Sequence, residues 1–483
     1  MKPNILLITV DQMRADCLSL LGHPIVETPN LDHLAQTGVL FDRAYSATPT
    51  CIPARAAIFT GMSQRSHGRV GYQDKVPWRY EHMLPGELAK AGYHTQCVGK
   101  MHVYPARNLC GFHNVVLHDG YLHHNRDRHT PYGSHFDQAD DYLVWLRQTA
   151  GAEHDLLDLG LDCNASTVAR PWHLPERLHP TNWAVEQSID FLRRRDPDKP
   201  FFLWTSFVRP HSPLDPPQAY FDMYKDLEMP DPPIGDWVDQ VKAEAGSFDP
   251  TTNRGKIPER RLHRAQAAYY ALLTHIDDQI GRLLNAVKEY GIYQNTIILF
   301  TSDHGELLGD HHYFRKSLAY EGSTRIPFIV NDPSGRYGFS KGSRVQEVIE
   351  LRDIMPTFLD AAGAEIPPSV EGQSLLPLCT GRDTAWRSYI HGEQAFGEQS
   401  NHWVTDGSTK YIWYSQTGEE QLFDLTADPH ETVNLAANTD QEPRLHEWRA
   451  RLIQELEDRE EGFVQDGKLM IGRKTVACLS HIL

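Results

Sequence analysis

Short apolar runs that alternate with helical patterns constrain the fold of this 483-residue chain more than any other feature. The runs cover residues 5–10, 93–99, 201–208, 296–302 and 325–330. Nearly continuous apolar character over such lengths is typical of strands that are buried on both faces of a parallel sheet. The alternation therefore predicts an α/β fold with a large, mostly parallel central sheet flanked by helices.

The clearest helical pattern lies over residues 262–290, where apolar side chains recur at helical spacing until Gly291. A second helix is expected to begin at Pro29 and to run through Leu40, because proline is favoured in the first turn of a helix. Proline- and glycine-rich sequence around residues 209–258 predicts long irregular segments over the sheet, which could act as a lid facing the substrate.

After about residue 370 the pattern changes. Short strand candidates stand at residues 388–393, 402–406, 410–414 and 421–424, and an amphipathic helix follows them. We expect a catalytic domain over residues 1–370 and a C-terminal subdomain with a tail over 371–483, built as a small antiparallel sheet with a helix. The tail from residue 462 has no clear pattern, and packing on another subunit of a homo-oligomer is one option for it.

The chain carries 64 acidic and 47 basic side chains, and its formal net charge is −17. This balance disfavours nucleic-acid binding, which usually needs a basic face, and docking on an anionic membrane. The sequence has no run of the roughly 20 apolar residues that would span a bilayer. The N-terminal apolar run is too short for a signal peptide and continues directly into Asp11, so we expect a buried strand and a cytoplasmic protein.

The seven cysteines form no CxxC pair, and their odd number favours neither a disulfide framework nor a zinc knuckle. Cys51 is singled out by the sequence Cys51-Ile-Pro-Ala-Arg55, which predicts that a helix begins there. Backbone N–H groups and the helix dipole at such an N-terminus favour a bound anion. A buried structural cysteine ahead of a helix is the alternative that the pentapeptide alone leaves open.

Polar side chains suited to acid–base, electrostatic or metal chemistry lie next to the predicted strands. They are Asp11, Lys100, His102, His211, Asp303, His304 and Lys316. Ligands of parallel α/β sheets gather at the carboxyl ends of the strands. These residues are far apart in the sequence, but the predicted fold brings them to one edge of the sheet. The pattern therefore indicates a single active site.

The chain resembles the type I, formylglycine-dependent sulfatases of the alkaline-phosphatase superfamily over nearly its whole length. The family signature is Cys51-x-Pro-x-Arg55. Further matching motifs are Asn4-Ile-Leu-Leu-Ile-Thr-Val-Asp11-Gln12, Gly99-Lys100-Met101-His102, Pro210-His211, Thr301-Ser-Asp303-His304-Gly-Glu306 and Lys316. Several motifs in the expected order are far more specific than any one of them.

In this family the signature cysteine is oxidised to formylglycine, so the resemblance implies that Cys51 provides the nucleophile. One hydroxyl of the hydrated aldehyde attacks sulfur and forms a sulfated intermediate, and the alcohol leaves. Deprotonation of the second hydroxyl then expels sulfate and restores the aldehyde.

The resemblance also implies roles for the surrounding cations and histidines. Arg55 would orient the formylglycine hydroxyls, and Lys100 and Lys316 would hold the sulfuryl oxygens. His102 would be the base on the spare hydroxyl, and His211 would be the acid for the leaving alcohol.

The positions that match the metal ligands of the family are Asp11, Gln12, Cys51, Asp303 and His304. An oxygen-rich set favours a hard divalent cation, with Ca²⁺ as the first choice. Many relatives have a second Asp and an Asn where this chain has Gln12 and His304. The exchange lowers the negative charge and adds a nitrogen donor, which makes Mn²⁺ or Mg²⁺ more credible.

The resemblance thus implies a sulfuric ester hydrolase of the arylsulfatase type, acting on a sulfated carbohydrate or an aryl sulfate. A formylglycine-generating maturation enzyme would be its partner. Two alternatives stay open at this point. Relatives with the same core hydrolyse phosphonate monoesters or phosphate diesters, often with the Asp-His pair seen at residues 303–304. An inactive protein that only binds sulfated glycans is the other alternative.

Other side chains are weaker candidates for the pocket. They are the histidine pairs 123–124 and 311–312, the aromatic residues Trp78, Tyr104, Tyr121 and Trp237, and the basic residues Arg107, Arg126 and Arg128. For the aromatic residues, packing in the interior is the stronger interpretation. The arginines would matter for a polyanionic substrate.

Overall fold

The computed structural model describes residues 2–120, 139–151, 162–239, 243–244, 249–382 and 384–483. Strands β1 to β10 of these segments are, in chain order, Asn4–Asp11, Val39–Phe41, Ala44–Tyr45, His94–Gly99, Asn114–Leu117, Phe201–Pro210, Thr296–Ser302, Phe328–Asn331, Ser343–Val345 and Ile349–Glu350. Eight of them form the central sheet, in the order β5-β4-β6-β1-β7-β8-β2-β9, while β3 and β10 pair with each other.

The central sheet is mostly parallel, which confirms the predicted fold class. Strand β1 pairs in parallel with β6 on one side and β7 on the other, whereas β8 runs antiparallel to both β7 and β2. Every residue of β1, β6 and β7 is buried, as their continuous apolar sequence requires. The run at 325–330 becomes a strand only from Phe328, because Arg325 and Ile326 hydrogen-bond instead to Asp42 and Ala44.

Helices α1 to α12 of the described segments are Pro29–Thr37, Cys51–Thr60, Gln64–His67, Leu84–Lys90, Asp141–Ala150, Pro180–Arg194, Gln218–Tyr224, Glu259–Glu289, Glu321–Thr324, Ile354–Ala362, Leu376–Cys379 and Glu442–Leu456. The long pattern over 262–290 corresponds to α8, after which Gly291 adopts a left-handed conformation with φ 68°. The helix predicted to begin at residue 51 is confirmed as α2.

The predicted end of the helix that begins at Pro29 is wrong. Helix α1 stops at Thr37, and Leu40 lies in β2, where it pairs with β8 and β9. The chain bends at Gly38, where a Cβ atom would lie 2.5 Å from the carbonyl oxygen of Val330. The apolar residues after Thr37 continue the helical pattern in the sequence, but they are used to extend the sheet.

The C-terminal part of the chain forms a separate four-stranded antiparallel sheet, as predicted. Its strands, β11 to β14, are Ile390–Gln394, Asn401–Thr405, Thr409–Tyr414 and Glu420–Asp424. Helix α12 packs the side chains of Leu445, Trp448, Leu452 and Leu456 against one group of side chains from this sheet. A second group of side chains from the same sheet, which includes Trp403 and Phe423, packs with Leu307, Leu318 and Tyr320. The small sheet therefore supports the segment that contains Lys316.

The C-terminal tail packs on its own chain. Strands β15 (Val464–Gln465) and β16 (Lys468–Leu469) form a short hairpin. Farther along, the amide of Val70 donates to Ala477, and the amide of Leu479 donates to Gly68. In the described segments, no helix combines the length and the apolar character needed to cross a bilayer.

Candidate active site

Cys51 is the first residue of α2, and side chains from the carboxyl ends of central strands surround its thiol. Asp11 is the last residue of β1, Lys100 follows β4, and Asp303 and His304 follow β7. From Cys51 Sγ, His304 Nε2 lies at 3.3 Å, Lys100 Nζ at 3.4 Å and Asp11 Oδ1 at 3.7 Å. The predicted convergence of these residues at one edge of the sheet is therefore confirmed.

Lys316 reaches the same thiol from the segment between β7 and β8. Its Nζ atom lies 3.7 Å from Cys51 Sγ and donates to Gln12 Oε1 at 2.7 Å. Gln12 Nε2 donates in turn to the carboxylate of Glu306, and its backbone amide donates to Asp303 Oδ1 at 3.3 Å. Gln12 thus fixes Lys316 beside Cys51, and its inclusion among the metal ligands stays a prediction.

Arg55 lies one helical turn after Cys51 and is completely buried. Its Nε atom donates to Asp303 Oδ2 at 3.1 Å, and one terminal nitrogen donates to the Lys100 carbonyl at 2.6 Å and to Ser206 Oγ at 3.0 Å. The other terminal nitrogen is buried without a partner among the described residues. Arg55 therefore ties α2 to β6 and to the ends of β4 and β7, and keeps one nitrogen available for a bound oxygen.

Opposing charges act on the thiol of Cys51. Burial and the Asp11 carboxylate would raise its pKa, but Lys100, Lys316 and His304 outweigh them and lower the pKa. The balance shows that the environment favours a negative charge on residue 51. An anionic oxygen in place of the sulfur would be stabilised by the same cations.

The four side chains Asp11, Cys51, Asp303 and His304 form a group whose ligand atoms all lie within 4.8 Å of one another. Lys100 binds Asp11 Oδ2, and Arg55 binds Asp303 Oδ2. The other oxygen of each carboxylate faces His304: Asp11 Oδ1 lies 3.3 Å from His304 Nε2, and Asp303 Oδ1 lies 3.7 Å from it. Two carboxylates and an imidazole are a donor set that fits a divalent cation.

The imidazole of His304 is oriented for such a role. Its Nδ1 atom donates to the carbonyl of Gly305 at 3.0 Å, which leaves Nε2 as the nitrogen that faces the carboxylates. Burial would lower the pKa of His304, but Asp303 and Asp11 raise it to about 10. The site therefore attracts positive charge, and a metal ion would take the place of the proton.

His102 is placed by a buried carboxylate. Asp119 accepts hydrogen bonds from the backbone amides of Met101 and His102, at 2.7 and 3.0 Å. His102 has a φ of 56°, which is uncommon for a residue with a side chain, so the two bonds hold a specific turn. This turn directs His102 into the cavity described below.

His211 follows β6 and is also fixed by its backbone. Its amide donates to the carbonyl of Asp11 at 3.0 Å, and its Nδ1 atom donates to the carbonyl of Ser212 at 2.8 Å. Burial and the Lys316 ammonium lower the pKa of His211 well below its usual value. Without substrate, His211 is therefore neutral and its Nε2 atom is the basic nitrogen.

A cavity of about 510 Å³ opens on this group. Cys51, His102, His211 and Lys316 line it, whereas Arg55 and Lys100 are fully buried and do not reach its surface. The other lining residues include Tyr72, Asp162, Asn164, Asn253, Arg315, Gln394 and Phe396. No sequence pattern selects these residues, except that Arg315 is adjacent to Lys316.

None of the weaker candidates among the described residues lines the cavity. Trp78 lies under the guanidinium of Arg69, and Trp237 stacks on Tyr320. His311 is buried and accepts a hydrogen bond from the amide of Gly235. Arg107 pairs with Asp141, and Tyr104 is not among the cavity residues. Tyr121, His123, His124, Arg126 and Arg128 lie outside the described residues.

A family model described as Sulfatase matches residues 3–364. The chain belongs to the sulfatase family. A second model, described as N-sulphoglucosamine sulphohydrolase, C-terminal, matches residues 309–461 of this sulfatase. The motifs that carry the sequence resemblance all fall within these two regions.

Similar proteins cover nearly the whole sulfatase. An arylsulfatase from Clostridium perfringens is 56% identical over 482 residues, which covers 100% of both chains. A multifunctional alkaline phosphatase superfamily protein from Trinickia caryophylli is 30% identical and covers 90% of this chain and 92% of its own. The solved structure of the phosphonate monoester hydrolase of Agrobacterium radiobacter has a TM-score of 0.77 at 26% identity, covering 94% and 95% of the two chains.

These similarities establish the class of reaction. The family model and the identity to an arylsulfatase show that this sulfatase is a sulfuric ester hydrolase. A formylglycine nucleophile and a bound metal are general properties of the family. The phosphonate hydrolase and the binding-only protein are not favoured as alternatives.

Proposed function

We propose that this sulfatase hydrolyses sulfate monoesters of a ring-sized alcohol, either a sulfated saccharide unit or an aryl sulfate, with residue 51 as the nucleophile. The observation that carries the proposal is the pair of ammonium groups, Lys100 and Lys316, that lie 3.4 and 3.7 Å from Cys51 Sγ. The sulfur stands in for the oxygen atoms of the hydrated formylglycine. A sulfuryl group attacked from that position would be held between two fixed cations.

The cations have a direct electrostatic role in this proposal. Sulfate ester cleavage places negative charge on the leaving oxygen and keeps it on the sulfuryl oxygens. Lys100 and Lys316 hold the sulfuryl oxygens, and Arg55 orients the hydroxyls of formylglycine through its remaining nitrogen. Because Arg55 and Lys100 are completely buried, little solvent reorganises around them when the charge develops.

The two histidines transfer the protons. His102 removes the proton from the second hydroxyl of residue 51, which expels sulfate and restores the aldehyde. His211 protonates the leaving alcohol from Nε2, because its Nδ1 atom is bound to Ser212. Since His211 is neutral without substrate, it becomes the acid only when the negative charge of the bound sulfate ester favours its protonation.

We assign Asp11, Asp303, His304 and residue 51 as the metal ligands, with Gln12 as a further candidate. A bound divalent cation supplies positive charge that favours the ionised form of the nucleophile. Ca²⁺ is the proposed ion because the carboxylates are hard oxygen donors, and His304 makes Mn²⁺ or Mg²⁺ the alternatives. Elemental analysis of purified protein distinguishes the three.

The wall of the cavity supports a ring-shaped alcohol. Tyr72 and Phe396 offer aromatic surface, while Asn164 and Asn253 offer amide groups on the same cavity. An apolar face combined with hydrogen-bonding edges suits both a sugar ring and a substituted aryl ring.

The test is turnover by protein whose residue 51 has been shown by mass spectrometry to be formylglycine. A panel of aryl sulfates, sulfated saccharides and an aryl phosphonate monoester is assayed side by side, with the Cys51→Ala variant as the blank. We expect hydrolysis of sulfate esters, and faster turnover of the phosphonate would contradict the proposal. A maturation enzyme that oxidises Cys51, a homo-oligomer and the division into residues 1–370 and 371–483 are further proposals.

A further inference from the structure

Arg315 lines the cavity immediately before Lys316, but no role in sulfate cleavage accounts for it. Its Nε atom is buried and has no hydrogen-bond partner among the described residues. Among the described residues, each of the other three cations of the site has a side-chain partner. Lys100 binds Asp11, Arg55 binds Asp303, and Lys316 binds Gln12.

The backbone of Arg315 is fixed on both sides. Its amide donates to the Glu306 carboxylate, and its carbonyl accepts from the amide of Leu307 at 2.7 Å. The residue has a φ of 66°, a conformation that non-glycine residues adopt when their surroundings impose it. The loop therefore holds the side chain at the cavity, although the fold makes no visible use of its charge.

The guanidinium remains a cation in this setting. Burial lowers the pKa of Arg315, while the carboxylates of Glu306 and Asp162 act in the opposite direction. Asp162 lies on the same cavity wall, yet the structure places no described carboxylate in an ion pair with Arg315. A partly desolvated guanidinium without a partner binds an incoming anion more strongly than an exposed one does.

We propose that Arg315 binds a second anionic group on the alcohol part of the substrate, a carboxylate or a sulfate, and so selects sulfate esters of acidic alcohols. This inference rests on the proposed function. Lys316 takes the scissile sulfate, and Arg315 is the next residue on the same cavity, so both anions fit on one ring-sized alcohol. The planar fork of a guanidinium matches the two oxygens of a carboxylate or of a sulfate.

Three phenyl sulfates that differ only in the para substituent test the proposal. They are 4-carboxyphenyl sulfate, 4-sulfonatophenyl sulfate and the neutral 4-carbamoylphenyl sulfate. In Arg315→Gln we expect kcat/KM for the charged substrates to fall about 10- to 100-fold, as for the loss of a charge-assisted hydrogen bond, and to change less than about threefold for the neutral one. The fall in kcat/KM for the carboxylate substrate, compared with the fall for the sulfonate substrate, shows which anion Arg315 prefers.

The control is Lys256→Gln, which removes one positive charge from an exposed residue that is not among the cavity residues. This variant should change kcat/KM for all three substrates by the same small factor. Equal losses for all three substrates in Arg315→Gln would overturn the inference and leave the proposed function intact. No turnover of any aryl sulfate by mature wild-type protein would instead overturn the proposed function.

A second measurement needs no variant and decides the matter if Arg315→Gln does not fold. With wild-type protein and the neutral substrate, 4-hydroxybenzoate should inhibit about tenfold more strongly than 4-hydroxybenzamide. Equal inhibition by the two compounds would overturn the inference.

Discussion

The floor and the rim of the cavity are built in different ways. The floor comprises Cys51 and His211, with the fully buried Lys100, Asp11, Asp303 and His304 directly behind them, and these residues come from strand ends and the start of α2. The rim comprises the loop residues Tyr72, Asn164, Asn253, Arg315 and Phe396. Floor side chains are buried and hold one another by hydrogen bonds and ion pairs, whereas Tyr72 on the rim is 43% exposed. The sheet thus determines the reaction, and the loops determine which alcohol reaches it.

The largest effect is expected at the centre of the floor. Cys51→Ala removes the thiol whose oxidation gives the proposed formylglycine nucleophile, so turnover should fall by at least about 10⁴-fold. The substitution removes one buried sulfur, and the melting temperature should therefore change by only a few degrees. Turnover and thermal unfolding are measured on the same preparation. Appreciable activity in a folded variant would contradict the assignment of the nucleophile.

The next largest effect is expected at Asp303, a carboxylate of the floor, and is compared with the effect at Asp162, a carboxylate of the cavity wall. Asp303→Asn removes one charge from the group that faces His304 and Arg55, so the metal content should drop and turnover should fall about 10²- to 10³-fold. Asp162→Asn, on the rim, is the matched control and should keep its metal. Elemental analysis and initial rates give both readouts. Loss of metal in both variants would contradict the predicted difference between Asp303 and Asp162.

Much of the floor could be predicted from the sequence, because residues at the ends of parallel strands must meet at one edge. The wrong end of α1 has a local cause, since the apolar residues after Thr37 fit a helix as well as a strand. In the structure Gly38 approaches the neighbouring strand closely, and the residues from Val39 onward pair with that strand. Asp119, which positions His102, carried no signal either, because its partners are backbone amides.

The rim could not be predicted in this way. Its residues come from loops, one of which connects two strands of the C-terminal sheet, so neither periodicity nor strand ends indicate that they meet. Arg315 is the exception in part, because it stands beside Lys316. Its missing partner becomes visible only once the surrounding side chains are placed.

A smaller effect is expected at Gln12, where floor and rim are connected through Lys316. Gln12→Glu places a second carboxylate against Glu306 in a buried site, and turnover should fall about tenfold because Lys316 is displaced. The double variant with Glu306→Gln restores a donor and an acceptor between the two side chains. It should recover most of the activity. Additive losses in the double variant would show that this contact does not position Lys316.

The smallest effect is expected on the rim. Phe396→Ala removes aromatic surface from the cavity wall, so KM for aryl sulfates should rise about three- to tenfold while kcat stays nearly constant. Tyr104→Ala is the control, because Tyr104 is an exposed aromatic residue that is not among the cavity residues. A fall in kcat for Phe396→Ala would mean that the rim also takes part in the chemical step.

The burial of Cys51 has a consequence for the order of events after synthesis. Only 1% of the residue is exposed, and Lys316, which helps to enclose it, is made 265 residues later. The proposed maturation enzyme would have to bring its own side chains to this thiol, which the finished fold leaves little room for. If Cys51 is oxidised as proposed, the oxidation therefore belongs to a stage at which this part of the chain is still open. The yield of active enzyme would then depend on the rate of oxidation relative to the rate of folding.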